Sequence, residues 1–184
     1  DTITFKSNRE EFQIRGGTAW DGATYYDLYA EAMTPWEWHP LIAKEARNQG
    51  MICFSSPFDE SAVDFLEESM QPALYKVASF EMNHFPLLER IGKTEKPVLA
   101  SVGVSESQEI INALKVLRGA GCPEVILLHC VSEYPAKPSD FSLGRMPLLE
   151  SDYGVKFGLS DHSLGHLVAV AATALGARVI EKHL

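Results

Sequence analysis

Six short apolar runs punctuate the chain: MICFSSPF (51–58), LYKVAS (74–79), KPVLAS (96–101), EVILLHC (124–130), VKFGLS (155–160) and ARVIEKHL (177–184). Their apolar residues are close to continuous rather than alternating, the pattern of strands covered on both faces. Helical patterns lie between them. DESAVDFLEESM (59–70) opens on Asp59 as a cap, and SESQEIINALKVLRGAG (105–121) opens on Ser105 with Gln108 three residues later and stops at glycines. SLGHLVAVAATALGA (163–177) reads as a nearly all-apolar helix closed by Gly176. Strand centres recur at roughly 20 to 30 residues, the length of a βα unit with a right-handed crossover. The pattern predicts one α/β domain with a parallel sheet and helices outside, as an open doubly wound sheet or a (β/α)8 barrel.

The first fifty residues follow another rule. QIRGGTAWDGATYYDLY (13–29), with paired glycines, a Trp and three Tyr, predicts a long ordered excursion. MTPWEWHPLIAKEARNQG (33–50) predicts a helix capped by Thr34, with Pro35 at its first position and Pro40 disturbing the first turn.

Composition narrows the classes of function. The 184 residues carry a net charge of −9, which argues against nucleic acid or an anionic membrane as partner. No apolar run approaches the roughly 20 residues of a membrane span, and the polar start, DTITFKSNREEF, has no signal-peptide core. It also lacks a Met, so the chain is expected to start inside a longer one. Three cysteines without metal-type spacing predict reduced thiols and a cytoplasmic setting, with Cys53 and Cys130 as core residues.

Polar residues gather at the C-terminal ends of the runs: Ser55 and Ser56; Lys76, Ser79 and Glu81; Ser101; His129, Ser132 and Tyr134; Ser160, Asp161 and His162; Glu181, Lys182 and His183. In a barrel these ends converge on one face, where active sites form. Taken singly, a serine there is a helix cap and a histidine a packed imidazole. Lys76 is sharper, because a lysine inside an apolar strand either snorkels out or holds an anion such as phosphate or carboxylate. His162 and His183 are either two ligands of one exchangeable Mn²⁺ or Mg²⁺, completed by substrate oxygens, or two separately packed rings. Asp161 is a candidate cap for the helix that follows.

The motifs YKVASFE, LLHCVSEYPA, GLSDHSLG and VIEKHL together resemble the sialic acid synthase family, which joins phosphoenolpyruvate to an N-acetylated amino sugar. RGGTAWDG, LYAEAMTPWEWH and ICFSSPFDESAVD are similar to the branch that makes pseudaminic acid from 2,4-diacetamido-2,4,6-trideoxy-L-altrose. The resemblance implies a TIM-type (β/α)8 barrel, of which residues 1–184 would hold six units, strands 3 to 8. The family's first two strands and its C-terminal antifreeze-like domain would lie outside the chain. It also implies a homodimer and a divalent metal, Mn²⁺ or Mg²⁺, bound by His162 and His183. Phosphoenolpyruvate contacts would come from Lys76, Ser79, Ser101, Ser132 and Ser160, with Ser56 beside them. Glu81 would stand near the reacting carbons and Tyr134 would line the same pocket. Trp20, Trp36 and Trp38 offer flat apolar faces to the sugar, although Trp36 and Trp38 also suit simple packing of their helix. Rival readings are a sialic or legionaminic acid synthase, a metal-dependent barrel hydrolase, and a non-catalytic piece of a synthase.

Overall fold

A computed structural model describes residues 4–17 and 19–183. The first three residues of the polar start, Thr18 of the Gly-rich excursion and the last residue of the 177–184 run lie outside these. Five of the apolar runs form strands: β1 (Tyr75–Val77), β2 (Val98–Ser101), β3 (Val125–Cys130), β4 (Lys156–Asp161) and β5 (Ile180–Lys182). All pairings are parallel, and the spatial order is the sequence order. The helices are α1 (Tyr25–Ala32), α2 (His39–Asn48), α3 (Glu60–Ser69), α4 (Phe85–Gly92), α5 (Ser107–Ala120), α6 (Met146–Tyr153) and α7 (Leu167–Ala174). None is long and apolar enough to cross a membrane.

The sixth expected strand, 51–58, is not one. It meets β1 through a single parallel bridge between Ser55 and Tyr75. Met51, Ile52 and Phe54 remain exposed, so the run has the apolar content of a strand without the ladder rungs that define one. Five strands and a bridged segment therefore replace the six predicted βα units.

Helix starts moved for identifiable reasons. Asp59 caps α3 as expected, its carboxylate accepting from the Ala62 N–H at 2.8 Å. In α5 the capping box belongs to Glu106 and Glu109, one residue beyond Ser105, because these two carboxylates satisfy each other's backbone donors reciprocally. Pro40, which has no N–H to give, splits the helix predicted within 33–50 into a 3-10 turn at Trp36–Trp38 and α2 from His39. The 13–29 excursion ends in α1, capped by Thr24. Glycine-rich flanks concealed that helix in the sequence.

Strand alternation splits the sheet into two chemistries. Tyr75, Val77, Val98, Ala100, Val125, Leu127, Phe157 and Leu159 face the helices and belong to one buried core, each large side chain contributing about 1.5–3 kcal/mol. The alternate residues, among them Lys76, Ser101, Cys130, Ser160 and Glu181, line the opposite face. That face is strongly curved. β1 and β5 are separated by three intervening strands, which in a flat sheet would place them about 19 Å apart, yet Lys76 Nζ lies 3.7 Å from Glu181 Oε2. The sheet is a parallel half-barrel with its polar residues inside.

Gly158 marks where the curl is tightest, for a Cβ there would stand 2.5 Å from the Val179 carbonyl oxygen and 2.7 Å from Leu128 Cδ2. Gly158→Ala is expected to cost about 1–3 kcal/mol by overpacking. Gly119→Ala in α5, where a Cβ meets nothing within 4 Å, should instead stabilise by about 0.5–1 kcal/mol through helix propensity. Midpoints of urea denaturation would separate the two.

Candidate active site

The concave face holds a cavity of about 370 Å³. Its lining brings together Ser56, Lys76, Ser79, Ser101, Ser132, Tyr134, Ser160, His162 and His183, which is nine of the eleven residues expected from sequence. Strict alternation sets Ser79 opposite to Lys76. It reaches the cavity because β1 ends at Val77 and a 3-10 turn, Ser79–Glu81, follows and redirects it. Its hydroxyl accepts from the Gly103 N–H at 3.1 Å and lies 3.0 Å from Cys130 Sγ. Gly103 has to be Gly, since a Cβ there would approach Cys130 Sγ to 2.4 Å.

Lys76 is 7% exposed. Burial pulls its pKa below the ordinary lysine value, while Glu181 and Cys130 push it back. Its ammonium also donates to the Val77 carbonyl at 2.9 Å. Ser101 is 3% exposed and its Oγ has no partner. A buried hydroxyl left unpaired is costly, and one aimed at a cavity beside an ammonium is a binding group for an anion.

The two histidines approach each other with ring centroids 5.2 Å apart. Tyr134 stacks on His162 at 4.1 Å and meets His183 edge-on at 5.4 Å. His162 Nδ1 is 2.7 Å from the Val131 carbonyl. A carbonyl only accepts, so Nδ1 carries the proton and Nε2 keeps its lone pair. The nearest hydroxyl to Nε2, Ser160 Oγ at 3.2 Å, gives its single proton to Glu181 at 2.6 Å. Among the described residues that leaves the Nε2 lone pair without a proton donor, and burial lowers the pKa of the ring, favouring its neutral form. That donor set suits a cation. No group of three His, Cys, Asp or Glu able to hold a metal occurs among the described residues, and two imidazoles alone would leave most of a divalent ion's shell to other oxygens.

Three residues sit elsewhere than the sequence suggested. Trp20 is 53% exposed in the N-terminal segment and does not line the cavity. His129 faces the helices, with Nε2 bonded to the Phe141 carbonyl, because the parity of β3 turns Cys130 inward and its neighbour outward. Asp161 is not the cap of α7, which starts four residues beyond Ser163. Its Oδ1 accepts from the N–H and hydroxyl of Ser163 at 2.9 and 2.6 Å, and its Oδ2 pairs with Lys182 at 2.8 Å. Trp36 stacks on Phe65 at 4.3 Å, packing its turn onto α3. It also walls a wider cleft of about 660 Å³ that shares Ser56 and Phe58 with the cavity.

Glu181, named in the sequence only among the polar strand ends and given no role, lines the cavity, and Cys130 lines it too. Cys130 read as core because its apolar run does not declare which face points inward. Glu81 lies beside the cavity without lining it, and its Oε2 is buried with no partner.

The NeuB family model matches residues 1–184. The chain is 42% identical over 183 residues to the pseudaminic acid synthase of Campylobacter jejuni, covering 100% of this chain and 53% of that protein. It is 42% identical over 181 residues to the pseudaminic acid synthase of Helicobacter pylori, covering 98% and 53%. Among solved structures, the N-acetylneuraminic acid synthetase of Leptospira borgpetersenii, in complex with citrate, superposes with a TM-score of 0.80 at 32% identity, covering 85% of this chain and 54% of that one. The chain thus spans about half the length of the curated relatives it matches.

Burial raises the Glu81 carboxyl above its ordinary 4.5, more than Lys76 and His84 lower it. Folding therefore takes up a proton between the ordinary and the raised value, and stability falls as pH rises through that window. Glu81→Gln is expected to melt higher than wild type at pH 7, with the gap closing toward pH 4. Thermal denaturation across that range measures it, and a constant gap would refute the assignment.

Proposed function

This chain belongs to the NeuB family, and from that premise we propose that it carries the catalytic face of a nonulosonic acid synthase. The reaction condenses phosphoenolpyruvate with 2,4-diacetamido-2,4,6-trideoxy-L-altrose, releasing pseudaminic acid and phosphate. The observation that carries the reading is the buried cradle of Lys76, Ser79, Ser101 and Ser160 opposite the His162–His183 pair, within one cavity.

The phosphate of phosphoenolpyruvate is held by the Lys76 ammonium, with hydrogen bonds from Ser101, Ser79, Ser132 and Ser160. The Ser101 hydroxyl loses its unpaired state only when such an acceptor arrives. Carbon 3 of the enol then attacks the sugar aldehyde carbon; the new C–C bond turns the aldehyde oxygen into an alkoxide, which takes up a proton, and leaves positive charge at carbon 2. Glu81 as carboxylate stabilises that charge or takes the proton of the water that adds there, the proton the alkoxide needs. The C–O bond to phosphate then breaks as the new carbon 2 hydroxyl passes its proton to the departing phosphate and becomes the ketone, and Lys76 balances the charge that leaves. His162 and His183 would hold a divalent Mn²⁺ or Mg²⁺, whose contribution when bound is Lewis acidity toward the aldehyde oxygen. Tyr134, stacked on His162, closes the same wall. The 42% identity to two pseudaminic acid synthases favours the altrose-derived sugar over other N-acetylated acceptors.

In the whole protein that contains this chain, phosphate release from phosphoenolpyruvate and Mn²⁺ should require the altrose-derived sugar. N-acetylmannosamine should not replace it. Lys76→Met is expected to lower kcat/KM roughly 10²-fold or more, the scale of losing one donor to developing charge. Equal release with N-acetylmannosamine would move the assignment to a sialic acid synthase.

A further inference from the structure

His162 and His183 each follow directly on one of two neighbouring strands, β4 and β5. His162 is fastened to the β3 side twice, by its ring Nδ1 on the Val131 carbonyl at 2.7 Å and by its own carbonyl accepting from the Ala136 N–H at 3.0 Å. β5 is laddered to β4 through Leu159–Ile180, Ser160–Glu181 and Asp161–Lys182.

That last rung carries a side-chain clasp. Lys182 Nζ donates to Asp161 Oδ2 at 2.8 Å and to the Ser163 carbonyl at 2.7 Å. It therefore grips the residues on both sides of His162 while itself adjoining His183. Asp161 is committed to the arrangement, its side chain having no exposed surface and its other oxygen being bound twice by Ser163.

We propose that Lys182, anchored by Asp161, is a positioning residue that sets the separation of the His162 and His183 rings. This rests on the reading of those rings as two ligands of one divalent ion. Lys182 borders the cavity, but its ammonium is committed to Asp161 and to the Ser163 carbonyl. It fixes β5 at the rung from which His183 projects, so the ion finds two donors already spaced and no strand movement is needed when it binds.

The test is Mn²⁺ titration of the whole protein, followed by electron paramagnetic resonance of free Mn²⁺ without sugar or phosphoenolpyruvate. Lys182→Met leaves a buried carboxylate alone and is at risk of not folding. The decisive variant is therefore the double Asp161→Asn, Lys182→Met, which carries no charge there. Its Mn²⁺ affinity is expected to fall at least about 10-fold, the scale of losing a residue that orients a ligand. Its affinity for phosphoenolpyruvate, measured without metal, should stay within about twofold, because Lys76, Ser79 and Ser101 of the cradle belong to β1, β2 and the turn between them. Wild-type Mn²⁺ affinity in the double variant overturns the inference, as does a parallel loss of both affinities, which marks a general structural role. Wild-type protein that binds no Mn²⁺, or binds it equally in His162→Ala and His183→Ala, overturns the metal reading and this inference with it.

Discussion

The pairing of Lys76 with Glu181 across the mouth of the half-barrel is the contact on which the rest of the structure turns. It joins the first strand to the last and can form only if the sheet curls. An ammonium taken so far from water needs a counter-charge, and a carboxylate four strands away becomes that counter-charge through curvature alone. The pairing is loose, at 3.7 Å, and Glu181 also accepts from Ser160. The cation is thus balanced without being saturated, the state in which a site can still bind an anion.

Polarity on the concave face is organised around that pair. Serine hydroxyls share the cavity with the ammonium. The proton Ser160 gives to Glu181 is the proton it withholds from His162, so the anion cradle and the neutral imidazole are linked through one hydroxyl. On the convex face the buried phenol Tyr75 is spent on Glu67, which Lys96 also binds.

What the sequence disclosed follows from the range of the forces involved. Strands β1 to β5 were legible because each apolar run is close to continuous and bounded by turn residues, and Lys76 was legible because a charge has no bland place there. The run 51–58 misled because strand character needs neighbours as well as composition. His129 and Cys130 exchanged their expected roles because one residue of phase in β3 decides which faces inward, and an apolar run does not record its phase. Trp20 and α1 belong to a segment whose position depends on contacts distant in the chain. The match of two histidines twenty-one residues apart was legible only as a motif, and the tautomer that makes His162 a ligand required the Val131 carbonyl.

The two-faced alternation of the strands has a consequence for how such a protein can change by descent. Each strand carries two interleaved messages, one read by the helices and the other by the cavity, and point substitutions can revise either without disturbing its neighbour. Insertions and deletions have no such freedom. Losing one residue within β1 would send Tyr75 or Val77 into the cavity and drive Lys76 against the helices, abolishing fold and chemistry in the same event. Lineages of this architecture are free to exchange letters on the inner face and bound to conserve the count of residues in every strand.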